Sequence, residues 1–367
     1  MTQTPETDSV KICADGVMLE ADYRRIASLH GGRYPAGTML GYKALLLAQE
    51  LLCPDGVLTR GRFSVETAFT GLGFKDAVEM ALRAPSMGLY AIDPDMPVPS
   101  GSVPAPGGGF FFYRFVQDDG VLELAVKPGL VPQGFYRATD DLASGKIKDE
   151  AEVLKIRRDI EKALAGLSPH EIFDVLSCRA CAVRTEYALP PGLEDDFRLL
   201  LDDFAEYEVS AEDARFFHGD DSLCGLCLFW SLVRQWARGE NLQGRAIPRR
   251  RVSVKIGARG KGVDDACEFL FRTSDGRSSA DLEWGKTLGA PEVMPGEGYF
   301  AFSLGLDGQR HKAFALKDDM VPRDYLRLCN EMAAKPADFR GHVERKKLQR
   351  NFARHLLSEP APFRAVS

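Results

Sequence analysis

The chain has 367 residues, 45% of them hydrophobic, which is length enough for two separate cores. With 47 basic and 53 acidic residues the formal net charge is -6, which excludes a general nucleic-acid binder resting on basic patches. No run reaches the ~20 apolar residues of a membrane helix, and residues 1–9 are polar with no apolar stretch behind them, so the protein is expected to be cytoplasmic and free of membrane.

The elements follow in chain order. A His30-Gly31 turn precedes a Leu- and Ala-rich helix, Thr38–Leu52, which Pro54 closes. A strand over Arg62–Phe69 leads through Gly71-Leu72-Gly73 into an amphipathic helix, Lys75–Arg83. Residues 97–109 hold four prolines and three consecutive glycines and read as a loop. A hairpin follows, Phe110–Val116 and Val121–Val126, turning at Asp118-Asp119-Gly120. A charged helix, Asp149–Leu167, comes last.

The same series then recurs. Residues 64–79 align without a gap on residues 253–268, 189 positions on. Leu29-His30-Gly31 matches Phe217-His218-Gly219 at 188, and Leu124–Pro132 matches Phe314–Pro322 at 190. Three matches in one order at nearly constant offset predict a tandem duplication. The second copy then has a helix over Leu226–Arg238, a strand over Arg251–Ile256, a Gly260-Lys261-Gly262 turn and a helix over Asp264–Arg272. Its hairpin is Tyr299–Leu304 and Lys312–Leu316, bent at Asp307-Gly308, and its charged helix is Gly341–Leu357. The expected fold is α+β: two homologous domains, 1–187 and 207–367, joined by a Pro- and acid-rich connection, 188–206. Fusion predicts packing about a pseudo-two-fold axis, an internal dimer within a monomer.

The run His30-Gly31-Gly32-Arg33-Tyr34-Pro35-Ala36-Gly37, followed by Leu40-Gly41-Tyr42-Lys43, resembles the opening of the FmdE family, named for a component of formylmethanofuran dehydrogenase. That family opens with His-Gly-His-x-Cys-Pro-Gly ahead of a helix near Leu-Gly-Tyr. Its strand, Gly-rich turn and helix resemble residues 64–83, and its hairpin and charged helix resemble residues 110–173. The resemblance implies a metal site, zinc or another divalent transition metal, on the His/Cys motif, and a zinc ribbon after the last helix. It also implies a setting beside a molybdenum or tungsten enzyme. In the first copy His30 stays, Gly32 stands at the second His and Tyr34 at the Cys, so a site of that type is not expected there. In the second copy His218 stays, Asp220 stands at the second His, and Cys224 arrives beside Gly225, which keeps an altered site open.

Two Cys-x-x-C pairs, Cys178/Cys181 and Cys224/Cys227, are 46 residues apart. Each supplies two thiolates where zinc needs four ligands, so both together are one reading. Core packing of Cys227 is a second, and a redox dithiol with Cys224 activated at a helix start is a third. The Gly-x-Gly turns present backbone N–H groups to an anion or serve as tight turns, with Asp76 and Asp265 near the helix starts favouring the dipole. Arg249, Arg250 and Arg251 read as a basic face or as a solvated loop. His170, His311, His342 and His355 are scattered among polar residues and read as surface groups. The function expected first is a non-catalytic accessory protein binding a metal, a small ligand or a partner. A metal-dependent enzyme centred on His218, Asp220, Cys224 and Cys227, and a zinc-stabilised interaction module, are the alternatives.

Overall fold

A computed structural model describes residues 8–146, 150–293, 297–334 and 339–366. Asp149 and the side chain of His342 lie outside it. The chain divides into two compact units, Met1–Pro190 and Pro191–Ser367, each mixing helix and strand.

In the first unit β1 (Val10–Ala14) pairs with β2 (Val17–Ala21) as a hairpin and, in parallel, with β3 (Leu58–Thr59). Between them run α1 (Tyr23–His30) and α2 (Pro35–Leu52). Asp22 caps α1, its carboxylate accepting the Arg25 N–H. Pro35 opens α2, where its missing N–H is no loss. A five-stranded sheet follows in the order β5-β4-β6-β7-β8, from Tyr90–Ile92, Phe63–Phe69, Gly109–Gln117, Gly120–Val126 and Phe173–Arg179. All neighbours are antiparallel except β4 and β5. α3 (Leu72–Leu82) packs on α2. α4 (Gln133–Ala143) and α5 (Glu150–Ala165) follow the hairpin, and a single turn, α6 (Pro169–Ile172), leads into β8. Alternation drives the sheet: Phe63, Val65 and Thr67 turn inward, and the Tyr113 ring stacks on Phe74 at 4.2 Å.

The second unit repeats that order of pairings. β9 (Leu199–Asp202), β10 (Glu206–Val209) and β11 (Ile247–Pro248) form the small sheet, with α7 (Ala211–His218) and α8 (Leu223–Gly239) between β10 and β11. The large sheet runs β13-β12-β14-β15-β16, from Ser278–Ala280, Val252–Ala258, Gly298–Leu306, Lys312–Leu316 and Phe363–Val366. Here α9 is Lys261–Phe271, α10 Trp284–Thr287, α11 Arg323–Ala334 and α12 Phe339–Ser358.

Three differences from the sequence reading stand out. Residues 199–202, placed in the connection, are strand β9, with Leu199 and Leu201 buried by alternation behind the acidic run that masks them. Residues 173–179, where a zinc ribbon was expected to begin, are strand β8, and Cys178 pairs there with Leu122. Arg249 is neither a basic face nor solvated: it is buried and donates to the carbonyl oxygens of Phe269 and Leu270, closing the C-terminal end of α9. Arg60 does the same for α3 through Met80 and Ala81. Among the described residues no helix is long and apolar enough to cross a membrane.

Candidate functional site

In each unit the corner between the first long helix and the Gly-x-Gly turn is built alike. Gly73 lies against the start of α2, where a Cβ would stand 2.3 Å from the Tyr34 carbonyl oxygen and 2.7 Å from the Thr38 nitrogen. Gly262 lies against the start of α8, where a Cβ would meet the Ser222 carbonyl oxygen at 2.5 Å. The second glycine is there so that two helix starts can abut, and the tight turn is a by-product. Neither α2, α3, α8 nor α9 has a side-chain cap, so their first N–H groups are left to whatever lies in the corner.

A histidine fastens each corner. His30 is buried, and its Nε2 accepts the Tyr34 N–H at 2.6 Å. The ring proton therefore sits on Nδ1 and is donated to Asp76 at 2.7 Å. His218 meets Asp265 at 2.7 Å through Nδ1 and the Asp221 carbonyl oxygen through Nε2. Both partners are acceptors, and each faces one ring nitrogen. Asp76 and Asp265, expected to serve the helix dipole, are the histidine partners instead. With both nitrogens engaged, neither ring offers a metal a lone pair without giving up a hydrogen bond.

The other sequence-chosen residues are not drawn together. Asp220 is clamped between Arg215, which is fully buried, and Arg350. Cys224 touches the Tyr325 hydroxyl at 3.6 Å, and burial pushes its thiol up to about 11, so desolvation outweighs the helix start expected to activate it. Cys227 is fully buried on α8, where burial raises its thiol well above the usual range. Cys178 is exposed on β8, whereas Cys181 is buried with its Sγ 3.4 Å from Asp118, and burial raises its thiol too. Among the described residues no three His, Cys, Asp or Glu side chains are gathered as an ion requires. The metal centre that the resemblance implies does not fit this arrangement.

What the first corner does hold is a cavity of about 230 Å³. Leu40, Phe69, Phe111, Phe135 and Ile160 give it apolar walls, and the α2 and α3 starts form one end. Arg157, from α5, also lines it and is buried. Its guanidinium lies 4.4 Å from the centre of the Tyr34 ring, 3.3 Å from the Arg33 carbonyl oxygen and 3.7 Å from Glu150. Burial lowers its proton affinity, and Tyr34 and Glu150 work the other way. Thr139, also on the wall, has a buried hydroxyl with no partner among the described residues. Sequence reasoning passed over Arg157 because one arginine in a charged helix carries no signal. Tyr34, noted only as a replaced cysteine, is the surface on which that arginine rests. No family model matches the chain, and no curated protein matches it.

Proposed function

We propose that the chain is a tandem duplication of a domain of the FmdE type that has exchanged its metal for a ligand pocket. It is a non-catalytic binding protein whose first unit takes a small anion with an apolar body. As an accessory protein it would serve a molybdenum or tungsten enzyme, the setting the resemblance suggests. The recurrence of strand order, glycine contact and His–Asp tie supports the duplication. The engaged ring nitrogens speak against catalysis, since a general base needs a free one within reach of substrate.

The reading of the pocket rests on Arg157. A guanidinium has five donors, and this one is buried beside an apolar cavity with only long contacts to oxygen. A carboxylate entering the cavity would supply the missing acceptor, with the two uncapped helix starts beside it. Benzoate and hexanoate are suitable probes, and benzyl alcohol is the neutral control. Calorimetry on the full chain is expected to show saturable binding of the acids, about tenfold or more weaker for the alcohol and in Arg157→Gln. Equal binding of acid and alcohol, or acid binding untouched by Arg157→Gln, would refute the reading.

A further inference from the structure

The corresponding corner of the second unit carries a different chemistry. Its cavity is smaller, about 140 Å³, and lies against the starts of α8 and α9. Ser222, which precedes α8, stands in left-handed backbone at φ 58° and does not cap the helix, and Gly260 has no side chain with which to cap α9. Two cationic side chains line the space, Arg259 from the turn and Arg345 from α12. Among the described residues neither has an ion-pair or hydrogen-bond partner, in contrast to Arg215, Arg249 and Arg350 of the same unit.

The second observation is independent of the helix starts. Gln349 lies one turn after Arg345 on the same face of α12 and also lines the cavity. It is 4% exposed, so its amide is largely withdrawn from bulk solvent. A glutamine held almost wholly out of solvent at a cavity wall offers both a donor and an acceptor to what the cavity takes in. The remaining polar wall is uncharged: the Cys224 and Cys329 thiols and the Tyr325 hydroxyl, all buried. Among the described residues Glu297 is the one carboxylate on the lining, and it is exposed.

Two guanidinium groups and two helix starts call for a compact anion, and the volume leaves room for little more than its head. Glu297 narrows the choice. It repels a fully ionised anion and accepts a hydrogen bond from one that keeps a proton. At neutral pH phosphate and its monoesters keep an O–H in part, whereas sulfate has none. Asp265, an apparent objection to an anion beside the Gly260-Lys261-Gly262 turn, is already taken by His218.

We propose that the second unit binds a hydrogen-phosphate group, with Arg259, Arg345, the Gln349 amide and the first N–H groups of α8 and α9 as donors and Glu297 accepting its proton. The site is separate from the Arg157 pocket and stands or falls without it.

The test is calorimetry of the full chain with inorganic phosphate at pH 7, set against sulfate and phenyl phosphate. Inorganic phosphate is expected to bind saturably at one equivalent, about tenfold or more tighter than sulfate. Arg345→Gln and Gln349→Leu should each weaken phosphate about tenfold, and Glu297→Gln should narrow the preference over sulfate. Arg157→Gln should leave phosphate binding unchanged, which separates this site from the first pocket. Arg345 is only half-buried, so its variant is expected to keep the wild-type melting curve, which circular dichroism checks. Phenyl phosphate binding as tightly as phosphate would place a monoester in the site, and weaker binding would place the free ion there. The proposal is overturned if phosphate fails to saturate by about 10 mM, if sulfate binds equally well, or if both Arg345→Gln and Gln349→Leu bind as wild type.

Discussion

Each unit ties its last long helix to the turn that follows the histidine, and the two ties are mirror images in charge. In the first unit α5 brings the acid and the turn brings the base: Glu150 meets Arg33 at 3.0 Å, both well exposed. In the second unit α12 brings the base and the turn the acid: Arg350 meets Asp220, which is buried and also holds Arg215. The frame needs a tie at this place, but its polarity and depth are free to change. The cavity walls behave the same way. Phe69, Phe111 and Arg157 line one corner, and Cys224, Tyr325, Arg345 and Gln349 the other. Glycines that let helices abut are fixed by steric contact, whereas residues facing a cavity answer only to its contents.

The sharpest way to break this comparison is at its buried end. Asp220→Ala takes from Arg215, fully buried, its nearer carboxylate and leaves it only Glu212 at 3.7 Å, itself half-exposed. Removing one partner of a buried pair costs about 3–5 kcal/mol. Urea denaturation of the full chain is expected to show a loss of that size. A loss below about 1 kcal/mol would mean that Asp220 behaves as a surface group and that the two ties do not differ in kind.

A smaller effect tests the shared frame. On helix propensity alone Gly73→Ala should stabilise α3 by about 1 kcal/mol. Contact with the Tyr34 carbonyl and the Thr38 nitrogen works against it, because backbone on both sides cannot step aside. The expected outcome is a net loss of about 1–3 kcal/mol, and the same for Gly262→Ala against Ser222 and Leu226. The sign decides. A gain at either position would show that the helix starts are not in contact there.

The frame was more legible in the sequence than the site, for physical reasons. Periodicity marked α2, α3, α8 and α9, and Asp-Gly marked the hairpins, because those signals are local. β5 and β13 are three residues each, too short for alternation to register. The His–Asp tie was present as a signal and misread: Asp76 follows His30 by 46 residues and Asp265 follows His218 by 47. A carboxylate at nearly the same distance from a histidine in both units is a pairing pattern, but one unit read alone offers a helix start as its explanation. The cavity walls left no such trace. Tyr34, Phe69, Phe111, Phe135 and Arg157 come from five separate segments, and only the fold brings them together.

The smallest effect lies at the exposed end of the comparison, and pH separates it from the rest. Hydrogen bonding to Arg33 holds the Glu150 carboxyl below the usual carboxylate range, with the charges of Arg33 and Arg157 adding to it. A folded value below the unfolded one means that the pair stabilises above about pH 4.3. That contribution is lost as pH falls through the lower, folded value. Glu150 is 36% exposed, so solvent screens the pair and the effect at pH 7 is about 0.5 kcal/mol. Glu150→Gln should therefore lie slightly below wild type in urea stability at pH 7 and converge with it in acid, once pH has fallen through the lowered, folded value. In about 1 M salt the gap should close, while that of Asp220→Ala should persist, because a buried pair is screened far less. A Glu150→Gln deficit that survived both acid and salt would place this tie in the same class as the buried one, and the contrast between the units would then lie in charge polarity alone.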